Sequence, residues 1–319
     1  MNILTSIENI LPIILIIALG FYLNEKGWFG TEFGGNISRL IMNVALPSSI
    51  FISVLKYLTL TKLVAVAPGL IYTFGSVIIA YIVAFAIVKL FKVEPGRRGV
   101  MINMFANANT IFIGLPLNIA LFGDASISYF LVYYITNTVS TWAFGALLIA
   151  QDSKDTNEKK NSSFSWKKLL PAPLVGFLVS LVFLLFDIPV PTFATNTLTY
   201  LGNIVTPLSL IYIGIVLSKA GLSSIKFDRD TILALLGRYL LSPLVMFVIL
   251  VLFGSSLPSV EYKTFIIQAA VPGLAVLPIL ANEGNGDVEY ATNVVTTSTL
   301  LFVIVIPIII SSVSYTHLR

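Results

Sequence analysis

Apolar runs long enough to cross a lipid bilayer recur at about ten places in this 319-residue chain, taking roughly 20 residues per crossing. They fall near 7–23, 36–55, 64–91, 99–121, 126–150, 168–187, 196–217, 230–253, 262–281 and 288–312. Within a bilayer each backbone N–H and C=O needs a partner in the chain itself, so such runs are read as helices. Composition agrees: 57% of the residues are hydrophobic and only 11% charged, with mean hydropathy +0.94. Soluble domains carry nearer a quarter charged residues. The expected fold class is therefore an all-α polytopic membrane protein.

One run is unusual. Asn107–Gly123, NANTIFIGLPLNIALFG, sits inside an apolar segment yet holds three Asn, two Gly and a Pro. Pro116 has no N–H, and its ring collides with the carbonyl one turn back, so a helix breaks or kinks there. Gly114 permits close approach beside the break. Backbone groups freed at membrane depth survive only where they are buried in protein or line a cavity. One reading is a proline kink that only shapes packing. The other is half of a binding site, because discontinuous helices near the bilayer midplane hold substrate in many carriers.

Basic residues set the expected orientation. With the N-terminus outside, inner loops hold fourteen Lys and Arg, among them Lys26, Arg39, Lys89, Lys92, Arg97, Arg98, Lys226 and Arg229, against four outside. That bias predicts both termini outside. The polar connection 151–168 separates a first five-helix half, 1–150, from a second, 169–312, leaving a polar tail, 313–319. Five crossings per half make any repeat an inverted one. Asn43-Val-Ala-Leu-Pro47 matches Asn203-Ile-Val-Thr-Pro207 at an offset of 160, and Gly114-Leu-Pro116 matches Val276-Leu-Pro278 at 162. Tyr134-Ile-Thr-Asn137 and Tyr290-Ala-Thr-Asn293 also match, but at 156. The first apolar run has no basic segment before it and no small-x-small site, so no cleavable signal peptide is expected.

Several chemistries are excluded. Cysteine is absent and the single histidine is His317 in the tail, which removes thiol catalysis, Cys- or His-ligated zinc and Ser/His hydrolysis. No pair of carboxylates lies in mid-span. Asp124, Asp187, Glu283, Asp287 and Glu289 fall at span ends, where solvated caps are expected. An enzyme is not expected, and no cofactor or metal. Coupling to Na⁺ or H⁺ stays open, since Na⁺ is held by carbonyls, hydroxyls and amides. Arg238 lies about two turns into its span, near 12 Å of rise. It either snorkels to the inner surface or stands as a fixed positive charge toward the interior, drawing anions to the inner vestibule. Asn103, Asn107, Asn109 and Gln268 are neutral polar groups that either hydrogen-bond between helices or meet substrate.

Asn109-Thr110-Ile-Phe-Ile-Gly114-Leu-Pro116-Leu117, followed by Leu121-Phe122-Gly123, resembles the fourth-span pattern of the auxin efflux carrier family, which includes plant PIN exporters and bacterial malonate-type permeases. Ala45-Leu46-Pro47 through Phe51, Pro207 through Leu217, Arg238 with Pro243, and Ala269-Ala270-Val-Pro272 resemble the family elsewhere along the chain. Ile111 stands where bacterial members often have Gly, and Pro278 is shifted by one from the plant pattern. The resemblance implies ten transmembrane helices in a 5+5 inverted repeat, like the sodium/proton-antiporter fold, with broken helices four and nine crossed. It implies a secondary transporter for small organic anions such as carboxylates, working by elevator-like or rocking alternating access. It also implies a homodimer through scaffold spans one, two, six and seven, in an inner membrane. Substrate-binding candidates are Asn107, Asn109, Gly114, Pro116, Gln268, Pro272, Gly273 and Pro278, with Arg238 in an electrostatic role. Two alternatives are a sodium-coupled organic-anion symporter of the bile-acid carrier type and a ligand-binding membrane receptor. The partners expected are the anion and the lipid bilayer, not nucleic acid.

Overall fold

A computed structural model describes residues 3–153, 172–220, 225–255 and 257–315, and all regular structure among them is helical. The central expected loop, 151–168, lies almost wholly outside the described residues. In chain order the helices are α1 (Ile3–Glu25), α2 (Phe33–Tyr57), α3 (Val64–Leu90), α4 (Arg98–Ala106), α5 (Leu115–Phe122) and α6 (Ile127–Val139). They continue with α7 (Ala172–Leu185), α8 (Thr192–Lys219), α9 (Arg229–Phe253), α10 (Ser259–Ala270), α11 (Leu277–Glu283) and α12 (Val288–Tyr315). Helix α6 runs on through a π turn into Ala146–Ala150.

Among the described residues, five helical stretches are long and apolar enough to cross a membrane: α2, α3, α8, α9, and the run Arg98–Phe122 that contains α4 and α5. Ten were expected. Some of the difference has a visible cause: α10 and α11 are separated by six non-helical residues, and α7 has only 14 residues.

Prolines shape these helices in a regular way. Π turns at Ile41–Ala45, Thr110–Gly114 and Gly237–Leu241 each end two residues before a proline, namely Pro47, Pro116 and Pro243. The residue between donates its N–H five residues back: Leu46 to Ile41, Leu115 to Thr110, Ser242 to Gly237. A wider turn moves the carbonyl away from the proline ring and absorbs the missing donor, so the helix continues with a local bend.

Two packing groups result. Helix α1 lies along the second half of α8, and α2 packs on α7 and the first half of α8. The α1–α8 contact is close enough that a side chain at Gly20 would strike the Ile211 backbone, and one at Gly214 the Ile17 carbonyl. The second group gathers α3, α4, α6, α9, α10 and α12, with α11 against α12. Its outer surface is apolar: Ile78, Ile82 and Phe85 on α3, and Leu240, Leu244 and Val251 on α9, are all exposed. Exposure of that kind suits lipid rather than water.

Candidate site at the two helix breaks

Helix α4 stops at Ala106 and Asn107 turns extended. Helix α10 stops at Ala270 and Val271 turns extended as well. The two breaks touch: the Asn109 N–H donates to the Pro272 carbonyl at 2.8 Å. Freed backbone groups find side-chain partners, as burial demands. Asn137 on α6 treats Ala108 as a strand neighbour would, its Oδ1 accepting the Ala108 N–H at 2.8 Å and its Nδ2 donating to the Ala108 carbonyl at 3.0 Å. Ser298 on α12 accepts from the Gly273 N–H at 3.4 Å.

Arg238, held in the π turn of α9, is fully buried at this junction. Its Nη1 donates to the Asn107 carbonyl at 2.7 Å and the Met104 carbonyl at 3.3 Å, and its Nη2 donates to the Ala269 carbonyl. Those carbonyls close the C-terminal ends of α4 and α10. Helix C-termini carry partial negative charge and orphan acceptors, and a guanidinium answers both. Snorkelling to the surface is overturned by this placement, because carbonyls of both broken helices already supply acceptors in the interior.

Behind the α4 break lies a polar chain. Asn107 Nδ2 donates to Asn103 Oδ1 at 2.8 Å and to the Tyr81 hydroxyl at 2.9 Å, while its Oδ1 accepts from Ser140. Asn103 in turn donates to the Gly99 and Gly145 carbonyls. Tyr81 donates to the Ser140 carbonyl, and Tyr239 donates to the Ser298 carbonyl. Both members of the second pair lie 158 residues beyond those of the first. Asn293, paired with Asn137 on sequence, makes the same two-point clamp on a backbone residue, but on Lys226, away from the breaks.

In front of the breaks is a cavity of about 270 Å³. Asn109, Thr110 and Phe112 line it from the first break and Ala275 and Val276 from the second; Tyr134, Asn137, Thr141 and Trp142 come from α6 and its continuation. Ser38 and Met42 on α2 and Tyr212 on α8 close it from the other packing group. Its lining residues carry no charged side chain. Tyr134 Oη, beside Thr138, and Thr141 Oγ1 are buried there, and Thr141 Oγ1 has no hydrogen-bond partner among the described residues. The Asn109 Oδ1 accepts the Phe112 N–H at 3.3 Å, capping the segment that leads into α5. A larger cleft, about 640 Å³, lies between α2, α7 and α8 and touches neither break, so it is set aside as the site.

The membrane transport protein family model matches residues 5–310. The chain belongs to that family. It is the family of the auxin efflux carriers, to which the sequence motifs pointed. Relatives cover nearly the whole length on both sides. An uncharacterized transporter of Methanothermobacter thermautotrophicus is 25% identical over 310 residues, 95% of this chain and 97% of the relative. The uncharacterized transporter MJ1031 of Methanocaldococcus jannaschii is 20% identical over 306 residues, 94% and 96%. The uncharacterized transporter YfdV of Escherichia coli K12 is 22% identical over 319 residues, 95% and 96%.

The protein is thus a multi-pass membrane transporter. Of the site residues expected in this transporter, Asn109 lines the cavity. Asn107, Pro272 and Gly273 form the breaks themselves. Gln268 spans between them, its Nε2 donating to the Gly114 carbonyl at 2.9 Å, and it packs so closely that a side chain at 114 would collide with it. Pro116 and Pro278 sit in the first turns of α5 and α11. Sequence reasoning missed Tyr134, Thr141, Trp142 and Tyr212 as lining residues, and Asn137 as the clamp on the break. Asn137 had a signal, a polar amide in mid-span with Thr and Ser at helical spacing.

The same half of the molecule is tied together at the end that bears most basic residues. Arg97 Nε pairs with Asp287 at 2.8 Å and its Nη1 with Asp228 at 2.9 Å; Asp230 lies 3.7 Å away, and the guanidinium sits over the Tyr290 ring. Asp287 was expected as a solvated cap, yet it is only 6% exposed and ion-paired. Burial opposes charge on Asp228, but hydrogen bonds from Thr231 and Arg97 hold its carboxyl below the usual range.

Proposed function

We propose that this transporter carries small organic anions such as carboxylates, by alternating access around the junction of the two breaks. The observation that carries the reading is the 270 Å³ cavity, lined by both breaks and closed by the other packing group. A substrate there touches two units whose relative movement would pass it across the membrane. The helical segment that begins at Thr110 starts at the cavity wall, and helix N-termini favour carboxylates, although the Thr110 and Phe112 N–H groups are already held by the Ala108 carbonyl and Asn109 Oδ1. Arg238, bonded to the carbonyls of two helix ends, places a positive charge behind the wall.

The paired Tyr–Ser hydrogen bonds at a spacing of 158 and the twin breaks support a 5+5 inverted repeat with α4–α5 crossing α10–α11. In this reading α1, α2, α7 and α8 form a dimeric scaffold, and the remaining helices form the moving unit. Gln268 Oε1, buried at the junction with no hydrogen-bond partner among the described residues, favours a sodium-coupled variant of the same function. The test is flux into proteoliposomes across a panel of mono- and dicarboxylates, with and without Na⁺ and pH gradients. Transport of none of them sinks the anion reading. Flux that is indifferent to Na⁺ removes the coupled variant.

Two results follow from the proposal. Asn109→Ala should weaken substrate binding roughly tenfold, the worth of one hydrogen bond to a charged group, with a stability loss limited to about 1 kcal/mol for the lost cap. Calorimetric titration with the best substrate of the panel checks this, and an unchanged affinity would move Asn109 to a purely capping role. Orientation is checked separately: single cysteines at Ser153 and Ser255 in this cysteine-free chain should react with membrane-impermeant reagent from opposite faces, Ser153 from inside. Reaction from one face would end the inverted arrangement.

A further inference from the structure

A cleft of about 610 Å³ opens where the end of α3 meets the start of α4 and the end of the α6 continuation. Three basic side chains line it: Lys89, Lys92 and Arg98. No ion pair holds any of them among the described residues. Arg98 Nε is fixed by the Val93 carbonyl at 2.8 Å, which orients the guanidinium fork. One carboxylate, Asp152, also lines the cleft, but it accepts the Gly99 N–H at 2.9 Å, so one of its oxygens is engaged with the start of α4. Phe85 and Leu148 supply an apolar wall, and Phe85 continues the exposed apolar face of α3.

Such a site is half wet and half greasy. Three cations against one carboxylate, Asp152, which lies in the field of Arg98, leave the cleft net positive and attract a phosphate, and the wall beside them continues into the lipid-facing surface. We propose that this cleft binds the phosphate headgroup of an anionic phospholipid at the inner membrane surface, with an acyl chain against Phe85 and Leu148. Clusters of Lys and Arg at the cytoplasmic ends of membrane helices recognise anionic headgroups, each cation near the surface contributing a factor of about five. A free phosphate ion would gain the charges but nothing from the apolar wall. The inference rests on the membrane placement of the chain and on the inner position of its basic end, and is independent of which substrate is carried.

The experiment is native mass spectrometry on the purified full chain, titrated with phosphatidylglycerol, with phosphatidylcholine of identical acyl chains, and with inorganic phosphate. Phosphatidylglycerol should bind at least tenfold more tightly than phosphatidylcholine. Lys89→Gln with Lys92→Asn should weaken it about 25-fold, and Lys89→Gln alone about fivefold. Asn suits position 92 because Lys92 has a left-handed backbone, φ 50°, which Asn tolerates. Both lysines are exposed, so the variants should fold, and an unchanged melting temperature without added lipid checks that. Lys56→Gln, a charge loss at the other end of the bundle, should leave binding unchanged. Equal binding of the two lipids overturns the proposal, as does loss of binding in Lys56→Gln to the same extent. Inorganic phosphate binding as tightly as phosphatidylglycerol would mark an ion site and also overturn it.

Discussion

Replacing Arg238 with Gln is expected to cost about 3 kcal/mol or more of stability, the largest effect of any single substitution in the junction. The guanidinium serves the Met104, Asn107 and Ala269 carbonyls from full burial. A glutamine amide is shorter and carries no charge, so it reaches one of these at best. Each buried acceptor left without a donor costs about 1–3 kcal/mol. Arg238→Lys should fall between the two, since the charge survives but one ammonium replaces a fork that reaches two helices. Unfolding midpoints in detergent provide the measurement. The alternative from sequence, an Arg that draws anions through an inner vestibule, predicts affinity that falls in the Gln variant and a weaker dependence on salt, because exposed charge is screened. Full burial predicts the reverse pattern: a marked drop in melting temperature and a salt dependence equal to that of wild type. A Gln variant with wild-type stability would overturn the bracing role.

Arg97→Gln should cost roughly 3 kcal/mol at neutral pH. Its partner Asp287 is almost fully buried, with its side chain 8% exposed, and removing one member of a buried ion pair leaves uncompensated charge; Asp230, 4% exposed, keeps Arg229 at 3.1 Å. Arg97 itself is 22% exposed, which holds the expected loss at the lower end of that class. The dependence on pH separates this from simple loss of packing. In the wild type Asp228 titrates below its unfolded value, so the folded state binds fewer protons. Its contribution is complete above about pH 4 and is lost as pH falls through the folded pKa. In Arg97→Gln the buried Asp287 carboxylate loses the guanidinium charge and gains by taking up a proton, so the variant should recover stability between pH 7 and pH 5 while the wild type does not. Parallel unfolding midpoints at both pH values would show that the network contributes little.

What was legible in the sequence follows from groups that act alone. A proline disturbs a helix wherever it falls, so Pro116 and the Pro272–Pro278 stretch pointed to the two interrupted spans, but the first break lies at Asn107–Asn109 and Pro116 itself is carried in the first turn of α5. Apolar runs marked the helices for the same reason: a bilayer tests each run for its own length and backbone satisfaction. Motifs carried by Asn109, Pro116 and Arg238 led to the right family. Charge on Asp287 was visible, but its partner was not, since Arg97 lies 190 residues away.

Tertiary structure decided the rest, because it concerned which faces meet. Arg238 is costly in a membrane wherever it points, and sequence could only pose snorkelling against a fixed interior charge. Only the approach of α4 and α10 to α9 brings three carbonyls of broken helices within its reach. Asn137 is an unremarkable amide until α6 lays it beside Ala108, where both its oxygen and its nitrogen match a freed peptide group. Asn107 and Asn109 lie two residues apart and look alike in the sequence. A regular extended chain would put both on one side; the backbone is extended at Asn107 but turns at Asn109, φ −76° and ψ 68°, which leaves one facing Asn103, Tyr81 and Ser140 and the other at the cavity.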